Sequence, residues 1–75
     1  MQAFILINTE RGKEQDIYDS IMDLEQVSGA YMIFGEWDIL VKVNLEGSEA
    51  LGTFILDNIR PLDGVTLTST LIVAK

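Results

Sequence analysis

Cysteine and histidine are both absent from the 75 residues, and proline and tryptophan occur once each. Without cysteine there is no disulfide framework, no thiolate nucleophile and no cysteine-based zinc site. Without histidine the commonest general base and the commonest metal ligand are also missing. The composition therefore points away from catalysis, and neither a resident metal nor a cofactor is expected. Cations are scarce as well: five Lys and Arg stand against twelve Asp and Glu, for a net charge of −7. Nucleic-acid binding depends on clustered cations that neutralise phosphates, whereas Arg11, Lys13, Lys42, Arg60 and Lys75 are scattered. No direct contact with nucleic acid is expected. The apolar run at Ala3–Ile7 is far below the roughly 18 residues of a membrane span, and Met1–Asn8 lacks the positive n-region and cleavage site of a signal peptide. These absences predict a soluble chain in a reducing cytoplasm, with no membrane partner.

What is abundant is apolar surface. Hydrophobic residues make up 48% of the chain. A domain this small buries only about 60% of the surface its unfolded chain exposes, and a two-layer monomer would leave part of that apolar surface in water. Self-association is the simplest way to cover it, so a homo-oligomer is expected.

Residues 1–75 read as one domain, with no linker, repeat or low-complexity tract. Ala3 to Asn8 is too short for a helix, is rich in Ile, Leu and Phe, and precedes the turn-prone Thr9–Gly12, which reads as a strand. Ala3, Ile5 and Ile7 point to one face and Phe4 and Leu6 to the other, so this strand is predicted to be covered on both sides. From Arg11 to Leu24 the period becomes helical, with Ile17, Ile21 and Leu24 on one stripe and acidic residues on the rest. Val27–Phe34 and Ile39–Asn44 are two further strands, joined by Gly35–Asp38 as a hairpin. Ser48 is a candidate N-cap for a second helix carrying Leu51, Phe54, Ile55 and Ile59, which must end near Arg60 because Pro61 follows. Gly52 inside it costs about 1 kcal/mol of helix propensity and suggests close packing or a weak helix. Pro61–Gly64 turns the chain into a last strand, Val65–Val73.

This βαββαβ order matches the ferredoxin-like pattern of the α+β class: a four-stranded antiparallel sheet with two helices on one face. The apolar residues on the other face imply a second sheet against it.

Two places interrupt the apolar strands with polar or special residues: Gly35-Glu36-Trp37-Asp38 and Thr68-Ser69-Thr70. Glycine at the hairpin allows positive φ and close approach of a ligand to the backbone. Asp38 can accept hydrogen bonds from an ammonium group, or instead stabilise its own turn. Thr68 and Thr70 share a face with Thr66 and Ile72. Their hydroxyls can donate to a carboxylate or amide, although threonine is also simply a favoured strand residue. The acidic residues of the first helix read as a solvated face, and no calcium-loop spacing occurs.

The stretch Gly35-Glu36-Trp37-Asp38-Ile39-Leu40-Val41-Lys42-Val43, then Leu62-Asp63-Gly64-Val65 and Thr68-Ser69-Thr70-Leu71-Ile72-Val73, closely resembles the effector-binding domain of the leucine-responsive/asparagine-operon (Lrp/AsnC) regulators, also called the RAM domain. The resemblance covers nearly the whole chain. It implies that two copies pack sheet against sheet into a dimeric α+β barrel, and that dimers assemble into a ring such as an octamer or decamer. It further implies a small effector, usually an amino acid, bound between dimers. On this resemblance Gly35, Asp38, Thr68 and Thr70 are the expected ligand contacts, with Phe34, Glu36, Trp37 and Ser69 as neighbours. The family's regulators carry a helix-turn-helix domain ahead of this one, whereas here the first strand begins almost at Met1. A stand-alone form is therefore expected, acting in transcriptional regulation of amino-acid metabolism through full-length regulators that hold the DNA. Two other readings share the fold, which does not itself settle function: a small cofactor-free enzyme of the dimeric α+β barrel class, and a structural subunit of an oligomer.

Overall fold

Alternating apolar residues in Gln2–Thr9 form the first strand, β1, which lies inside the sheet with a partner on each side. The computed structural model describes all 75 residues. It contains β1 (Gln2–Thr9), α1 (Glu14–Met22), β2 (Val27–Met32), β3 (Ile39–Asn44), α2 (Ser48–Phe54) and β4 (Val65–Ile72), with α2 running on into a π-helical turn at Ile55–Ile59. The four strands are antiparallel in the order β2-β3-β1-β4. The fold is the ferredoxin-like α+β topology that the element pattern predicts.

One face of the sheet carries the core. Ala3, Ile5 and Ile7 of β1 lie beside Val43, Val41 and Ile39 of β3, and Ile17 and Ile21 of α1 with Leu51, Phe54 and Ile59 close over them. Every one of these side chains is buried. At about 25 cal/mol per Å² of apolar surface removed from water, this single layer supplies the main driving force for folding.

The opposite face is uncovered. Pairing places Tyr31, Leu40, Leu6 and Ser69 in one row across it and Gly29, Lys42, Phe4 and Leu71 in the next. Tyr31, Leu67 and Leu71 are more than half exposed, and Phe4, Leu6 and Leu40 are half-buried. In the single chain β1 is thus covered on one side only, and its second apolar face meets no layer of its own.

Several element ends differ from the sequence reading. Ser48 does not cap α2; it is the first helical residue, and the extended Gly47 occupies the cap position with no side-chain cap bond. The second strand stops at Met32 rather than Phe34. Thr66 leaves the Thr68–Thr70 alternation, because the pairing slips from Asn8↔Leu67 to Thr9↔Val65 and inserts one extra residue, as in a β-bulge. Gly52 has no atom within 4 Å of where a Cβ would stand, so close packing is not its reason.

Candidate functional site

The β2–β3 connection is anchored at Asp38. Its backbone N–H donates to the Ile7 carbonyl at 3.0 Å, and its carbonyl accepts the Ile33 N–H at 2.9 Å. Its side chain also bonds: Oδ2 accepts the Thr9 backbone N–H at 2.8 Å and lies 3.4 Å from the Thr9 hydroxyl. The same hydroxyl lies 3.5 Å from Glu14 Oε1, a second carboxylate competing for its one proton. The recorded bonds to the Asp38 side chain all fall on Oδ2 and all come from Thr9 of β1, so the side chain braces a neighbouring strand rather than its own turn, the structural role weighed from the sequence. Gly35 has φ 131, outside the ordinary range of other residues. Phe34 and Glu36 are exposed and Trp37 is half-buried, so the tip stands out in solvent.

The β4 segment lies elsewhere. Thr70 pairs with Ile5 and Thr68 with Ile7, which puts both threonines on the helix face, whereas Ser69 pairs with Leu6 on the open face. An open cleft of about 270 Å³ runs between this strand and the end of α2, lined by Gly52, Ile55, Leu56, Arg60 and Thr68–Thr70. A second depression of about 230 Å³ adjoins it, lined by Arg60 and Val65–Thr68. Both are smaller than the roughly 300–1,000 Å³ of drug-sized pockets, a size suited to a small metabolite.

The structure therefore brings Thr68, Ser69 and Thr70 together but does not add the hairpin to them. Asp38 bonds to one side of β1 near Asn8, and Leu67 pairs with Asn8 from the other. Two strand spacings, about 10 Å, separate the hairpin base from β4. None of the cavities described here is lined by any of Phe34–Asp38. The largest depression, about 730 Å³, lies on the other flank of α2 and holds Glu46, Glu49 and Asp57 but none of the predicted residues.

Four residues of the β4 cleft were not named as ligand contacts from the sequence: Gly52, Ile55, Leu56 and Arg60. The signal for Gly52, Leu56 and Arg60 was their spacing, a second stripe at intervals of four beside the Leu51-Ile55-Ile59 stripe, of which Leu51 and Ile59 are buried and Ile55 partly so. The π turn that aligns them, closed by the Arg60 N–H to the Ile55 carbonyl at 2.9 Å, has no comparable mark in the sequence.

At the far side of α1, Lys13 Nζ pairs with Asp63 at 3.0 Å. The hydrogen bond to Asp63, and then its charge, raise the Lys13 pKa above the usual 10.5. Beside this pair, Gly64 takes φ 98 under the Lys13 side chain.

The topology and cleft define a ferredoxin-like domain with a small-molecule-sized groove at one sheet edge. The Lrp/AsnC ligand binding domain model matches residues 2–75, and the chain belongs to that domain family. It is similar to the HTH-type transcriptional regulator FL11 of Pyrococcus abyssi, with 37% identity over 75 residues; these are all of this chain but 49% of FL11. The chain thus spans about half the length of the curated relatives it matches. Among solved structures, FFRP-DM1 superposes with a TM-score of 0.91 at 36% identity, over 96% of each chain. The transcriptional regulator NMB0573 of Neisseria meningitidis, solved as a complex with L-Met, superposes with a TM-score of 0.90 at 26% identity, over 99% of this chain and 49% of that one. No helix of the structure is long and apolar enough to cross a membrane.

Proposed function

We propose that this chain is a cytoplasmic amino-acid sensor without enzymatic activity or DNA contact of its own, which reports effector binding to full-length regulators through its assembly state. The observation that carries the reading is the hydroxyl-lined cleft at β4 in a domain of a ligand-binding family, one of whose relatives is solved with L-Met. The net charge of −7 supports the exclusion of DNA contact. The uncovered apolar face supports assembly: a second copy packed on it, sheet to sheet at about 10 Å, removes Leu6, Leu40, Tyr31 and Leu71 from water. Dimers then join in a ring. The ligand contacts are Thr68 and Thr70 with Ser69 beside them, and Gly35 and Asp38 with Phe34, Glu36 and Trp37 around them. Because about 10 Å separates these two groups within one chain, the hairpin contribution comes from a neighbouring copy. A shared site of this kind makes ligand affinity depend on assembly and assembly depend on ligand, by the same factor in both directions.

Thermal unfolding against a panel of amino acids tests the reading. An effector at about 100 times its dissociation constant adds about 2.7 kcal/mol. The expected result is a selective rise in Tm with one or two amino acids, lost in Asp38→Asn, which keeps an acceptor for Thr9 while removing the charge. A panel that moves nothing favours a structural subunit instead.

A further inference from the structure

We infer that Arg60 is the carboxylate anchor of the cleft beside β4, its guanidinium receiving the acid group of a small ligand while Thr68 and Thr70 donate beside it. This rests on the sensor reading and names the ligand chemistry of one part of its site. The distribution of charge carries the inference. In a chain with a net charge of −7, the largest depression is lined by three carboxylates and no cation, and the one beside α1 by Lys13 with Asp16 and Asp63. The two depressions against β4 contain no acidic residue, and Arg60 lines both. The ion pair of the chain joins Lys13 to Asp63, and Arg60 takes no part in it.

Local geometry agrees. At 3.6 residues per turn, a residue eight positions beyond Gly52 falls about 80° out of line with it, and widening one turn by a residue removes most of that offset. The π turn at Ile55–Ile59 is such a widening, and it sets Arg60 on the same wall as Gly52 and Leu56. Gly52 gives up about 1 kcal/mol of helix propensity relative to alanine with no neighbour that requires it. A wall kept free of side chain accounts for that loss. A guanidinium also presents a planar fork that matches a carboxylate with two parallel hydrogen bonds, which an ammonium does not. The competing role for Arg60 is a cation complementing the C-terminal end of a helix, a role that lysine fills equally well.

The test is an NMR titration of backbone amides in the wild type, Arg60→Gln and Arg60→Lys, using the twenty L-amino acids, their C-terminal amides and sodium acetate. The expected result is that at least one amino acid shifts the amides of Arg60 and Thr68–Thr70, that Arg60→Gln weakens it at least tenfold, and that Arg60→Lys restores only part. The amide of that amino acid should bind the wild type no better than the acid binds Arg60→Gln. An amino acid that binds wild type and Arg60→Gln alike overturns the anchor and leaves the sensor standing. Equal binding by Arg60→Lys and wild type shows that a point charge suffices there and overturns the carboxylate fork. Acetate that shifts these amides through Arg60 while no amino acid does so overturns the sensor and keeps the anchor. Silence from every probe removes both. Arg60 is exposed and makes no bond through its side chain within the chain, so both variants should unfold at the wild-type temperature.

Discussion

Asp38 Oδ2 accepts the backbone N–H of Thr9 at 2.8 Å and so ties the start of β3 to the end of β1. A hydrogen bond to a charged group contributes about 1.5–3 kcal/mol, and the partly buried position puts this one toward the lower end. Asp38→Ala should lower Tm by several degrees, at about 4–8 °C per kcal/mol for a domain of this size. Asp38→Asn should lose less than half as much. Equal losses in the two variants would show that the charge, rather than the acceptor, holds the strand end.

Gly64 and Gly35 both have positive φ, yet only Gly64 is crowded: a Cβ there would stand 2.6 Å from Lys13 Cβ, whereas nothing lies within 4 Å of one at Gly35. Gly64→Ala combines backbone strain of about 1–3 kcal/mol with a steric overlap that α1 must move to relieve. Gly35→Ala carries the backbone strain alone, on an exposed tip free to relax. Denaturant unfolding should rank Gly64→Ala as clearly the more damaging; the reverse order would contradict the packing of Lys13 over Gly64.

Gly52→Ala should stabilise the chain by up to about 1 kcal/mol, since the position is helical and the added methyl meets nothing. The same methyl narrows the cleft at β4, so ligand affinity should fall as Tm rises. A gain in stability with affinity unchanged would place the ligand elsewhere.

The Lys13–Asp63 pair gives a pH dependence whose sign is fixed. The folded-state pKa of Lys13 lies above its ordinary 10.5, so the contribution is complete below 10.5 and disappears as pH climbs through the raised folded value. Replacing Asp63 with Asn should flatten the alkaline limb of a Tm-against-pH curve and leave neutral pH almost unchanged, because the pair is exposed and screened by salt.

Leu71→Lys places a cation on the open face in the row of Lys42. Leu71 is 54% exposed on an edge strand, so the monomer fold should persist while face-to-face dimers weaken by about tenfold or more. Size-exclusion chromatography with light scattering at several concentrations reads this directly.

Much of the fold was legible because apolar residues kept two clean periods. Alternation in Ala3–Ile7 and Ile39–Val43 set the strand faces, and Ile17 with Ile21, then Leu51 with Ile59, set the buried helix stripes. Element ends were less legible. Ser48 has the chemistry of a cap, but the extended backbone of Gly47 reached that position first. Thr66 follows the strand alternation in sequence, yet a pairing slip set by its neighbours moves it out of line. The Thr68–Thr70 cluster was visible as polar residues in an apolar strand. Arg60 showed only a four-residue spacing from Leu56, and the π turn at Ile55–Ile59 that brings it into line has no mark in the sequence. Nor does sequence spacing show that β1 lies between the hairpin and β4, which is what separates the two candidate groups.

The most direct test of the central claim is sedimentation velocity of the wild-type chain, with and without each amino acid, at protein concentrations spanning the assembly transition. A sensor whose site is shared between copies predicts that one or two amino acids shift the sedimentation coefficient selectively and that Asp38→Asn abolishes the shift. Binding that leaves the distribution of species unchanged at every concentration would contradict it.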